Sequence, residues 1–202
     1  MQTAAGKGAF LRLLSPSGAI ALFGGPLRAR ASVALGLWLA VAGGAWGETA
    51  SLEYAVKANY LYKFAPFVEW PDRAFPSPTS PFNICVVGED PFGKGLDDAV
   101  QGQRVGERPI SVRRAPAAGP GMNCQILFAS KSTAQSAADT LRAVAGAPVL
   151  TVTDQSHGVS GGMIQFVMRD GRVKFEINAA AAEASGLQIS SKLLGLAAAR
   201  TR

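Results

Sequence analysis

Phe82-Asn83-Ile84-Cys85-Val86-Val87-Gly88-Glu89-Asp90-Pro91-Phe92-Gly93-Lys94-Gly95 is the stretch that decides the architecture of this chain. Its first six residues are almost wholly apolar and rich in β-formers, the pattern of a strand buried on both faces. Strands of that kind belong to parallel sheets covered by helices. The Gly-rich turn leads into a short helix predicted over 91–100. The same stretch nearly fits the phosphate-cradling pattern G-x-x-x-x-G-K-[ST], but the chemistry fails. Gly95 brings no hydroxyl to a metal, Pro91 has no N–H, and Glu89 and Asp90 repel phosphate. An ordinary strand-to-helix turn is the better reading.

Downstream the alternation continues. Apolar runs predict strands over 108–113, 123–128 and 148–153, and a helix over 132–145 with Ser132 as its cap. Two further strands, 163–168 and 172–177, flank Asp170-Gly171, the strongest hairpin signal in the chain. Asn178 can cap an alanine-rich helix that ends at Gly186, and 190–199 reads as a terminal helix. Upstream, Leu61, Phe64, Ala65 and Val68 recur at i, i+3, i+4 and i+7, which predicts a first helix over 51–70. Ser51 would cap it and Pro71 would end it; a loop with four prolines follows over 71–81. The expected fold is a single α/β domain: a mostly parallel sheet with helices on both faces and a C-terminal antiparallel hairpin.

Residues 1–47 read differently. Basic residues up to Arg30 precede the apolar run Val33–Val41, and Gly43-Gly44-Ala45-Trp46-Gly47 supplies small residues at a cleavage site. That is the pattern of a secretory signal peptide behind an N-terminal extension, with the α/β domain occupying 48–202 and exported to the periplasm. The leader also changes the meaning of the charge. The chain has 202 residues, 20 Lys and Arg, 14 Asp and Glu, and a net charge of +6. Lys7, Arg12, Arg28 and Arg30 lie in the leader with no acid, so residues 48–202 keep only +2. Arg113-Arg114 is the one adjacent basic pair left, and no nucleic-acid partner is expected.

The remaining chemistry is sparse. His157 is the only histidine, which leaves metal ligation thin. Ser156 and Ser160 lie near it, but no G-x-S-x-G elbow accompanies them, so no catalytic group is assigned. Cys85 and Cys124 each fall in a predicted strand. Export permits a disulfide between them, and two buried thiols are the alternative. Tyr60, Tyr62, Phe64, Phe67 and Trp70 are too many rings for one helical stripe. Some pack under the proline-rich loop or form a partner surface.

The ordered set of motifs resembles the YfiR-like family of exported proteins. Lys57-Ala58-Asn59-Tyr60-Leu61-Tyr62-Lys63-Phe64-Ala65-Pro66-Phe67-Val68-Glu69-Trp70-Pro71 is similar to its opening signature. Phe82 to Gly93, Cys124 to Phe128, Gly161 to Val167, Val173 to Asn178 and Ser190 to Leu194 follow in the family's order. The resemblance implies a periplasmic α/β protein without catalytic activity; neither a cofactor nor a metal is expected. It would repress an inner-membrane diguanylate cyclase by binding that enzyme's periplasmic sensor region, lowering cyclic-di-GMP and biofilm formation. An outer-membrane lipoprotein is a second expected partner, and a homodimer is left open. Cys85 and Cys124 fall on positions resembling one family cysteine pair; a further late pair found in some members is absent. Tyr60, Phe64, Phe67, Glu69 and Trp70 are the expected partner surface. The competing reading is a periplasmic small-ligand sensor module serving a histidine kinase or transporter.

Overall fold

A computed structural model describes residues 45–119 and 121–201, with side chains from Ser51 onward. The leader reading therefore lies outside the described residues except for 45–47, which are helical. Helix α1 runs from Ala45 to Phe64. It stops there because Pro66 cannot donate the backbone hydrogen bond that another turn requires. A 3₁₀ turn, Ala65–Phe67, and a two-residue strand β1, Val68–Glu69, take the place of the last turns expected up to Trp70.

The next elements are β2 (Phe82–Val87), α2 (Lys94–Val100), β3 (Arg104–Val105), β4 (Arg108–Ala115) and β5 (Ile126–Ala129). They lead to α3 (Ala137–Ala143), β6 (Leu150–Asp154), β7 (Ile164–Arg169) and β8 (Arg172–Asn178). The chain closes with α4 (Ala179–Ala184), β9 (Gln188–Ile189), α5 (Ser191–Leu196) and β10 (Ala199–Thr201).

Eight strands form one sheet in the order β10-β8-β7-β6-β5-β2-β4-β3. The central run from β4 through β2, β5 and β6 to β7 is parallel. The β7–β8 hairpin is antiparallel, with Arg169 facing Arg172 across Asp170-Gly171. Both turn residues take positive φ, 49° and 68°, as a two-residue hairpin turn requires. Outside this sheet β1 and β9 pair antiparallel, Val68 with Ile189, and tie the end of α1 to the C-terminal region.

Alternation along the strands sorts the core onto two faces. Phe82, Ile84 and Val86 of β2, Ile126 and Phe128 of β5, and Leu150 and Val152 of β6 pack with Leu61 and Phe64 of α1 and Leu96 of α2. Cys85, Val87, Leu127 and Ala129 point the other way and meet Leu141 and Val144 at α3. By the same two-residue period, Asp154 at the end of β6 falls on the α1 face.

Some boundaries differ from the sequence expectation, each for a local reason. The helix predicted over 132–145 forms only over Ala137–Ala143, because Ser136 rather than Ser132 caps it and accepts from the Asp139 amide. Ser132 instead donates to the Pro116 carbonyl. The strand predicted from Asn123 starts at Ile126, since Asn123 takes a positive φ of 49° that no ladder accommodates. The terminal helix ends at Leu196, and Ala199–Thr201 adds to the sheet beside β8. No helix among the described residues is long and apolar enough to cross a membrane.

At the centre of the sheet the chain leaves β2 through Gly88, whose φ is +97°. A methyl group there would stand 2.5 Å from the Lys131 carbonyl oxygen and 3.0 Å from that of Ser130. Gly88→Ala is therefore expected to cost roughly 1–3 kcal/mol, from strain and a backbone clash together. Urea unfolding would show it, and an unchanged midpoint would contradict this account of the turn.

Candidate functional site

Lys57 lies four residues before Leu61 and seven before Phe64, on the stripe by which α1 meets the sheet. Its side chain is 0% exposed. A lysine on that stripe must find acceptors for three N–H groups, and it finds three. Lys57 Nζ donates to Asp154 Oδ2 at 2.5 Å, to Ser156 Oγ at 3.0 Å, and to Glu53 one helical turn earlier. The ammonium also lies 4.9 Å from the Tyr54 ring centroid.

Asp154 is the hub of the cluster. Its Oδ1 accepts from the Ser156 hydroxyl at 2.5 Å and the Ser156 amide at 3.1 Å. Its Oδ2 also accepts from the Tyr54 hydroxyl at 3.3 Å, and His157 Nδ1 lies 3.1 Å away. Burial by itself would raise this carboxyl. Hydrogen bonds from Lys57 and Ser156, together with the positive charge of Lys57, outweigh burial and hold it below the ordinary carboxylate range. Burial pushes the Tyr54 phenol far up, with Asp154 adding to the effect, so Tyr54 stays a donor.

The geometry limits what this cluster can do. In a Ser-His-Asp triad the two imidazole nitrogens divide the work, one facing the nucleophile and the other the acid. Here Ser156 Oγ, at 3.2 Å, and Asp154 both face Nδ1 of His157. Ser156 also bonds Asp154 directly. That is not a nucleophile–base relay. Glu53, Asp154 and His157 bring ligand-type atoms within 4.8 Å of one another, but the Lys57 ammonium already sits on both carboxylates. The chemistry of the donor set is that of a closed ionic lock between α1 and the end of β6.

The turn that nearly matched a P-loop is filled by its own anion. Asp90 Oδ1 accepts from the amides of Phe92 and Gly93 at 2.8 and 3.2 Å, where a phosphate oxygen would otherwise sit. Arg114 clamps the turn through Asp90 at 2.6 Å, Asp97 at 2.6 Å and the Gly93 carbonyl at 2.8 Å. Arg113 donates to the Met122 carbonyl. Both members of the basic pair are thus engaged within the fold.

Cys85 of β2 and Cys124, two residues before β5, form a disulfide with Cα atoms 5.8 Å apart. The bridge is buried beneath Ala118, Met122 and Leu141. The five expected partner-surface residues do not share one surface. Phe64 is 1% exposed and packs against Phe166 and Phe175, so it offers a partner nothing. Tyr60 is half-buried over the same rings, 5.6 Å from Phe175. Trp70 stands edge-on to Phe82, at the start of β2, with its indole N–H buried and without a partner among the described residues. Phe67 is half-buried, and Glu69 is exposed on β1.

Sequence reasoning passed over Lys57 and Asp154. The signal was there: a lysine in phase with Leu61 and Phe64, and an aspartate closing the apolar run 148–153. What pairs them is the sheet order. A family model, DUF4154: YfiR/HmsC-like, matches residues 54–198, a span that takes in Tyr54, Lys57, both cysteines and Asp154.

Proposed function

Because the chain belongs to the YfiR/HmsC-like family, we propose that it is a periplasmic regulator that holds a membrane diguanylate cyclase inactive by binding that enzyme's periplasmic region. The observation that carries this reading is the family match over residues 54–198, nearly the whole α/β domain. The ionic lock supports it, since its groups bond one another rather than presenting a nucleophile and base to a substrate.

The mechanism is one of differential affinity. A protein that binds the inactive receptor better than the active one shifts the receptor's population, and only to the extent of that difference. A shift from mostly active to mostly inactive needs roughly 10⁴-fold preferential binding. Binding of that quality needs a stiff surface, and the parallel sheet braced by the lock and the disulfide provides one.

Deleting the gene is expected to raise intracellular cyclic-di-GMP, and supplying the chain in trans is expected to restore it. Unchanged cyclic-di-GMP in a strain shown to express the protein beforehand would sink the proposal.

A further inference from the structure

The two residues of β3 are too few to cover the eight of β4. They pair only with Arg108 and Pro109, and the Gln103 carbonyl adds one more bond by accepting from the Ile110 amide. On its other side β4 lies parallel to β2 from Ile110 to Ala115. Residues 111–115 therefore have a strand on one side and none on the other among the described residues.

The hydrogen bonds identify the backbone groups left open. Ile110 turns its N–H outward to Gln103, whereas Ala115 turns its carbonyl inward and accepts from the Gly88 amide. Successive residues of a strand bond to opposite sides. Val112 and Arg114 thus present N–H and C=O outward with Ile110, while Ser111, Arg113 and Ala115 serve β2. Such a row of unpaired donors and acceptors is a template for strand addition.

Charge discriminates between a second copy and a foreign strand. The open window is centred on Arg113, so two copies pairing by two-fold symmetry within it would set Arg113 directly opposite its counterpart. That is a non-hydrogen-bonded pair, the closer kind, and like charges there are destabilising. A centre nearer the N-terminus drives β4 into β3 of the other copy, and one nearer the C-terminus runs onto Pro116. Arg114 is already balanced by Asp90 and Asp97. Arg113 is exposed, bonds only the Met122 carbonyl, and has no carboxylate partner among the described residues. The cation that repels a second copy suits a carboxylate at the facing position of a foreign strand. Beside it a hollow of about 260 Å³, lined by Arg113, Arg114, Ala115, Gly121 and Met122, has room for a further side chain of that strand.

We propose that the open edge of β4, residues 111–115, docks an extended segment of a protein partner. The segment adds a ninth strand to the sheet of eight and sets an aspartate or glutamate against Arg113. The proposal goes beyond the regulatory reading and stands on backbone geometry, whichever partner supplies the strand.

Amide hydrogen exchange on the full chain reads the edge directly. In the free protein the Val112 and Arg114 amides should exchange at least about 100-fold faster than those of Ser111 and Arg113. Equal protection of all four would mean that the edge is already covered, and would overturn the proposal. Two strand-forming peptides of threonine and valine then serve as probes, one with a central glutamate and one with a central lysine. The glutamate peptide should bind about fivefold tighter and slow exchange at Val112 and Arg114. Arg113→Glu should reverse that preference, and the reversal itself shows that the variant is folded. Val112→Pro removes an outward N–H and none that serves β2, so it should abolish binding of both peptides. Equal affinity of the two peptides for wild type overturns the proposal, as does a preference that Arg113→Glu leaves in place. A dimer in sedimentation that Val112→Pro dissociates would also overturn it, since the second copy would then be the occupant.

Discussion

Lys57→Met is expected to lower the unfolding free energy by about 3–5 kcal/mol, the cost of leaving half of a buried ion pair behind. Methionine keeps most of the lysine's packing but offers no proton to Asp154, whose side chain is 2% exposed. The carboxylate must then stay charged in a poor solvent or take up a proton, and either choice is unfavourable. The double variant Lys57→Met/Asp154→Asn removes both charges and should recover most of the loss, because a buried pair contributes little net stability over neutral groups of similar size. A double-mutant cycle from urea unfolding measures the coupling. A single-variant loss under about 1 kcal/mol would contradict the lock.

The same cluster sets a pH dependence. The folded-state pKa of Asp154 is depressed relative to the unfolded chain. Its contribution is therefore fully present above the ordinary aspartate pKa, about 3.9, and is lost as the pH falls below it. Stability at pH 3 should fall further in wild type than in the double variant, which has no carboxylate at that position to protonate.

Removing the Cys85–Cys124 bridge carries the second large effect. The cysteines are 39 residues apart in sequence, and closing a loop of that size stabilises by about 4 kcal/mol in the chain-entropy description. A Cys85→Ala/Cys124→Ala protein should show that loss, together with a steeper denaturant dependence because its unfolded state is less compact. The native chain should resist reduction until it opens, since Cys85 is 0% and Cys124 6% exposed. Equal stability of the oxidised protein and the variant would show that the bridge adds nothing beyond the β2–β5 pairing it spans.

Much of the architecture is local chemistry. β2 comes directly from its apolar run, the hairpin from Asp170-Gly171, and the cap of α4 from Asn178, which accepts from the Ala181 amide. Strands of two or three residues were not legible. β1, β3, β9 and β10 have no periodicity of their own and exist because a neighbour offers unpaired backbone groups. The end of α1 was legible at Pro66 but was masked by an apolar stripe that continues to Val68. The aromatic cluster suggested one partner surface because rings close in sequence look close in space. Phe64 instead packs on Phe166 and Phe175 of the hairpin, and Trp70 on Phe82 of β2.

Composition and order of motifs were enough to specify an α/β domain with a parallel core and to separate a basic N-terminal segment from a nearly neutral remainder. They also left two cysteines free to pair, without saying whether they would. Only the tertiary structure joined Lys57 to Asp154, 97 residues apart, because that contact depends on which strand lies beneath α1 and on which side of it the aspartate falls. Strand order is a long-range property of the sheet, and a two-residue period assigns a side chain to a face only once the strand has neighbours.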